Sequence, residues 1–354
     1  GSTSGSDYAT VAYDASTGTQ LWVKRYNGAA NRGEISAALA VSPDGGKVFV
    51  TGSSDGSTSG SDYATVAYDA STGARLWVKR YDGPAKGADY SLDLGVAPNG
   101  SAVFVTGYSD GLASSTSPQD YATVAYDASS GAQIWAKRYD GPGHRGDSGF
   151  ALAVGPGGGR VFVTGRSYGS STTGYDYATV AYNAATGMRL WVRRYDGPGS
   201  GPGGDTARDV GVSPNGSTVF MTGDSLGSTG SADYATVAYS TSTGATHWVK
   251  RYSGPGNRND LAFALGVSLD GSALFVTGYS WASTTSSYDY ATLAYGASEG
   301  ASRWARRYNG PTNGDDFAGA LGVSPDGSRL FVTGGSPGST TSGQDFATLA
   351  YSVP

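Results

Sequence analysis

The stretch Asp62–Tyr81, DYATVAYDASTGARLWVKRY, reads as two strands joined by a short turn. Tyr63, Thr65 and Ala67 fall on one face and Ala64, Val66 and Tyr68 on the other, the two-residue alternation of a strand. Asp69–Gly73 makes the turn and Leu76–Tyr81 the second strand. The same phrase opens at Asp7, Asp120, Asp176, Asp233 and Asp289, and its first half returns at Asp345. Successive spacings are 55, 58, 56, 57, 56 and 56 residues. A fixed period of this length marks a repeat architecture, in which no unit buries its apolar face alone.

Working outward, one full unit runs from Ala37 to Tyr81. Ala37–Ser42 is a short first strand, Pro43-Asp44-Gly45 carries turn chemistry, and KVFVTG (Lys47–Gly52) is a β-branched second strand. Ser53–Ser61 reads as a long Ser/Gly/Thr loop before the quoted pair. Four antiparallel strands per unit and six units predict an all-β, six-bladed β-propeller. One domain over 1–354 is expected, with 1–26 and 318–354 sharing the closing blade. Leu21–Tyr26 would supply the fourth strand to the blade of Ala318–Tyr351, which leaves one of Asp7–Tyr13 and Asp345–Tyr351 surplus. Small residues at one first-strand position, such as Ala40, Gly95 and Gly211, fit close backbone approach. Leu39, Leu94, Leu152 and their equivalents would fill the space between blades.

The 354 residues include 57 Gly and 25 Tyr, as many tight turns and half-buried strands require. A net charge of −5 and no basic stripe beyond the repeat argue against nucleic acid as a partner. There is no Cys, which removes disulfides, thiol catalysis and Cys-ligated metals. No apolar run is long enough to span a membrane. The opening GSTSGSDY repeats Gly56–Tyr63 and reads as a start inside a repeat, with no signal peptide in view.

The segment ATVAYDASTGARLWV resembles the repeat of pyrroloquinoline-quinone-type propellers, through Asp69, Thr72, Gly73 and Trp77 and again through Asp14, Thr17, Gly18 and Trp22. With VFVTG, a Ser/Gly loop and D-Y-A, the whole unit is also similar to a bacterial propeller repeat of extracellular and cell-surface proteins. The resemblance implies a secreted or cell-surface protein. It does not carry the quinone, because the family's dehydrogenases often hold it beside a vicinal Cys pair.

His144 and His247 occupy unrelated repeat positions, so neither a Ser-His-Asp triad nor a His metal site is supported. The paired Lys/Arg residues of each fourth strand read as charge that protects an exposed edge. Two carboxylate sets repeat: Glu34, Asp89, Asp147, Asp205, Asp260 and Asp316 before the first strands, and Asp7, Asp62 and their equivalents opening the third. They read as loop caps, with Ca²⁺ or another hard cation the alternative their oxygens would suit and the metal-binding residues left unassigned. Asp93 and Asp209 stand where the other blades have Ala, and Arg208 sits beside Asp209. They mark either a channel-mouth site or a wet channel that tolerates charge. Tyr168, Tyr175, Tyr279, Trp281 and Tyr288 lie in the long loops, among Ser, Thr and Gly, as in binding loops. Two function classes follow. The first is a non-enzymatic binding or assembly module for a carbohydrate or protein on the long-loop face, able to self-associate through the surplus strand. The alternative is a hydrolase or lyase acting on a sugar or lactone through carboxylates and Ca²⁺.

Overall fold

The computed structural model describes residues 5–56, 60–111, 119–199, 204–256, 258–339 and 343–353. Residues 1–4 and, within the expected Ser53–Ser61 loop, 57–59 lie outside them. Twenty-five strands form seven antiparallel sheets. The first sheet holds only β1 (Tyr8–Tyr13) and β2 (Gln20–Tyr26). Five four-stranded sheets follow. They are β3 (Glu34–Val41), β4 (Lys47–Asp55), β5 (Ser61–Asp69) and β6 (Arg75–Tyr81); then β7 (Asp89–Val96), β8 (Ala102–Asp110), β9 (Gln119–Asp127) and β10 (Gln133–Tyr139). Next come β11 (Asp147–Val154), β12 (Arg160–Ser170), β13 (Gly174–Asn183) and β14 (Arg189–Tyr195); then β15 (Thr206–Val212), β16 (Thr218–Leu226), β17 (Ala232–Ser240) and β18 (Thr246–Tyr252). The fifth is β19 (Asp260–Val267), β20 (Ala273–Ala282), β21 (Ser287–Gly296) and β22 (Ser302–Tyr308). The last sheet has three strands, β23 (Phe317–Val323), β24 (Arg329–Ser339) and β25 (Gly343–Ser352). Each sheet is a meander of neighbouring strands, the blade of a β-propeller.

Residues Leu21–Tyr26 pair with β1, from Tyr8↔Tyr26 to Tyr13↔Gln20. A tight Asp14-to-Gly18 turn joins β1 to β2, so this pairing costs far less loop entropy than one across the chain. Asp7–Tyr13 is therefore not left over: it holds β2 on one edge. The described strands make five full sheets, one of three strands and one of two.

Contacts divide the chain into two compact units, Gly1–Val163 with Ala181–Leu190, and Thr164–Val180 with Trp191–Pro354. Within each, two residues of the repeat pin one sheet to the next. In the first unit the D-Y-A tyrosine donates to a buried carbonyl one period on, Tyr8 to Ala64 and Tyr63 to Ala122. The fourth-strand tryptophan does the same through its indole N–H, Trp22 to Ala70, Trp77 to Ala128 and Trp135 to Ala184. In the second unit Tyr177, Tyr234 and Tyr290 reach Ala235, Ala291 and Ala347, and Trp191 and Trp248 reach Thr241 and Ala297. Phe104, Phe162 and Phe220 are fully buried beside them, each such ring stabilising by roughly 1.5–3 kcal/mol relative to exposure.

The small first-strand residues act as expected. A Cβ added to Gly211 would stand 2.6 Å from Leu265 Cδ1, and one added to Gly95 2.8 Å from Leu152 Cδ2. Leu94 and Leu152 are buried between sheets, whereas Leu39 is 60% exposed. The predicted long loops are mostly strand. Ser54 pairs with Asp62, and Trp281 faces Tyr288 directly, since Tyr, Trp, Ser and Thr pair well across a hairpin.

Candidate functional site

The first strands carry a feature the sequence did not announce. Their register slips by one residue between Ala207 and Asp209, and between Ala262 and Ala264, which makes Arg208 and Phe263 the extra residues of two β-bulges. A bulge re-aims the side chain of its extra residue. The Arg208 guanidinium lies 4.7 Å over the Phe263 ring, and its Nε donates to Asp224. Burial pushes the Asp224 carboxyl up, and Arg208 beside it pulls it back. The Gly of each VTG or MTG faces the bulge because nothing larger fits: a Cβ on Gly223 would stand 1.9 Å from the Thr206 carbonyl oxygen.

From Phe263 a continuous aromatic strip follows β20, β21 and β23. Phe263 and Tyr279 are 5.4 Å apart between ring centres, Tyr279 and Phe317 4.8 Å, and Tyr279 and Tyr288 5.0 Å. Trp281 meets Tyr288 edge-to-face at 5.0 Å, and Arg258 lies 4.4 Å over the Trp281 ring. Every ring in this strip is half-buried, so one part is anchored and the rest is presented. A second cluster in the same unit joins Tyr168 to Tyr175 at 5.4 Å, with Arg166 4.9 Å over Tyr175.

The structure thus brings together Arg208, Tyr279, Trp281 and Tyr288, and sets Tyr168 with Tyr175. It also adds Phe263, Phe317, Asp224 and Arg258. The bulge moved Phe263 into the site, and a shift of register is invisible in a period-two pattern. Asp209 takes another path. Its carboxylate accepts the backbone N–H groups of Val210 and Leu265, at 2.8 and 2.7 Å. Asp93 does the same in the first unit with Leu94 and Leu152, at 2.8 and 2.7 Å. Burial pushes the Asp93 carboxyl up to about 6 against those two bonds. Both carboxylates tie one first strand to the next.

The fourth-strand basic pairs are not uniform edge protection. The second member turns inward: Arg80 donates to Asp62 Oδ2 at 2.8 and 3.0 Å, and to both Ser54 Oγ and the Ser54 carbonyl at 2.6 Å. Arg138, Arg194, Arg251 and Arg307 repeat this arrangement. The strand-opening aspartates accordingly hold an arginine, where loop N–H groups were expected. The other carboxylate set does cap the backbone: Asp89, Asp147, Asp205, Asp260 and Asp316 accept the N–H of Gly83, Gly141, Gly197, Gly254 and Gly310.

Meander blades pinned by a repeated Tyr and Trp, with Asp69 Oδ1 capping the Asp-x-x-Thr-Gly turn through the N–H and hydroxyl of Thr72, define a propeller of pyrroloquinoline-quinone-like repeats. The family model described as outer membrane protein assembly factor BamB matches residues 6–120 and 66–339, and the chain belongs to that family. Among curated proteins, none matches the chain in sequence. Solved structures share the fold at low identity. Chaetomium thermophilum Sqt1 bound to the N-terminus of ribosomal protein L10 is 14% identical, with a TM-score of 0.61 over 98% of this chain and 78% of that one. A putative 6-phosphogluconolactonase from Bacteroides uniformis is 14% identical, with a TM-score of 0.51 over 98% and 97%. The quinohemoprotein alcohol dehydrogenase of Comamonas testosteroni is 13% identical, with a TM-score of 0.53 over 93% and 60%. The residues here do not fit a quinone held beside vicinal Cys, since the chain has no Cys and the Asp93 and Asp209 carboxylates are occupied by backbone N–H groups.

Proposed function

We propose that this chain is a non-enzymatic binding module of the cell envelope or exterior. It would hold an extended protein segment along the strip from Arg208 to Trp281. The strip itself carries the reading: half-buried Tyr, Trp and Phe rings fixed against one another and flanked by Arg208 and Arg258 have the composition of interface hot spots. The matched family is described as an outer membrane assembly factor, and Sqt1 was solved bound to a ribosomal-protein terminus, which supports a protein ligand over a carbohydrate. The hydrolase or lyase reading has less support, because Asp93 and Asp209 spend their carboxylates on bracing strands. Screening the chain against a displayed peptide library and a glycan array separates the classes. Peptide signals that fall on Trp281→Ala support the proposal; glycan signals alone, or peptide signals indifferent to Trp281, contradict it.

Self-association is a second reading with its own observation. β1 is paired on one edge only, and beside it Thr10, Val11, Ala38 and Leu39 line a groove of about 380 Å³. Among the described residues the sheet of β25 has three strands, and open edges recruit strands. A second copy adding a strand at these edges would give oligomers that a chain lacking residues 1–14 cannot form. Light scattering that finds both chains monomeric ends this reading.

A further inference from the structure

Three carboxylates meet where β14 leads into β15. Asp176 opens a third strand, Asp196 follows Tyr195, and Asp205 precedes a first strand; one oxygen from each lies within 4.8 Å of the other two. Arg194 Nη2 donates to Asp176 Oδ2 at 2.7 Å and leaves Oδ1 buried without a partner, in a residue only 5% exposed. Asp205 accepts the N–H groups of Gly197 and Leu226, at 2.6 and 2.8 Å. Three carboxylates against one guanidinium leave two negative charges in a site where burial penalises charge.

The grouping recurs at Asp62, Asp82 and Asp89, and again at Asp120, Asp140 and Asp147, each with one oxygen per residue within 4.8 Å of the others. Asp82 Oδ1 is also buried with no partner. Lys86 pairs with Asp82 Oδ2 at 3.0 Å and His144 with Asp140 Oδ2 at 2.7 Å, and both basic side chains are about 70% exposed, at 69% and 71%. Where the third position is Asn309, Oδ1 atoms of Asp289, Asn309 and Asp316 are all buried and unpartnered. The donors are oxygens throughout, which suits a hard cation and leaves nothing for a soft one.

We propose that each of the three aspartate triads holds one Ca²⁺ ion. The ion bridges the start of a third strand, the turn after the fourth and the start of the next first strand. It thereby ties one blade to its successor at the point where their carboxylates repel each other.

Equilibrium dialysis of the chelator-treated intact chain against Ca²⁺ at about 1 mM, the affinity range of extracellular sites, tests this. Asp82→Asn, Asp140→Asn and Asp196→Asn should each remove about one bound ion, and the triple variant about three. The fold accepts Asn there, since Asn27 and Asn309 occupy the same repeat position. A triple variant that binds as much Ca²⁺ as the parent, or a parent that binds none, overturns the proposal, and displacement by an equal concentration of Mg²⁺ overturns the choice of ion. Terbium luminescence sensitised by Tyr195 reads the same sites with no substitution: emission quenched by Ca²⁺ supports them, and absence of emission contradicts them.

Discussion

Asp209 Oδ2 accepts the backbone N–H of Leu265 across 2.7 Å, from the first strand of one blade to the first strand of the next. Asp93 holds Leu152 in the same way. Polar residues at a crowded strand position can therefore serve the joint between blades.

The Asp93 joint has a pH signature. Its folded carboxyl is raised to about 6 from an ordinary 3.8 by burial, so the protonated form is favoured by folding. The group's contribution to stability is complete below about pH 4 and is lost as pH rises through about 6. Urea melts at both ends of that window should show this slope in the parent chain and a flatter one in Asp93→Asn.

Tyr177→Phe should cost about 1 kcal/mol, the worth of the buried hydrogen bond to the Ala235 carbonyl. Denaturant unfolding measures it, and an unchanged midpoint would remove the tyrosine pin from the account.

The repeat made the fold legible, because Gly, Thr and Trp recur at fixed offsets and each has one local reason to be there. The blade joints were less legible. Tyr63 looks like an ordinary alternating strand residue, and only its hydroxyl's reach to Ala122 shows what it does. The β1–β2 hairpin was not legible because a hairpin and a long-range pairing share one sequence pattern. In the candidate site, Arg208, Tyr279, Trp281 and Tyr288 stood out by composition, while Phe263 entered through a bulge. The third carboxylate of each triad, Asp82, Asp140 or Asp196, was hidden in R-Y-D-G-P, which reads as turn chemistry; its recurrence at one repeat position was the available signal.

Gly223→Ala should destabilise by at least about 2 kcal/mol, because its Cβ would meet the Thr206 carbonyl at 1.9 Å and the bulge has no room to yield. Gly157→Ala, with nothing within 4 Å, is the control and should leave the melting temperature in place.

The two members of a basic pair should differ sharply. Arg80→Ala strips Asp62 of its largely buried partner and should cost about 3 kcal/mol. Lys79→Ala should cost less than about 1 kcal/mol. Equal losses, read by denaturant midpoint, would restore the edge-protection reading of both.

The binding strip is tested most directly by titration calorimetry with the strongest peptide selected on the intact chain. Tyr279→Ala and Trp281→Ala together should weaken binding at least about tenfold, as loss of hot-spot rings does, while melting stays near the parent value. An affinity unchanged in the double variant would contradict the central claim.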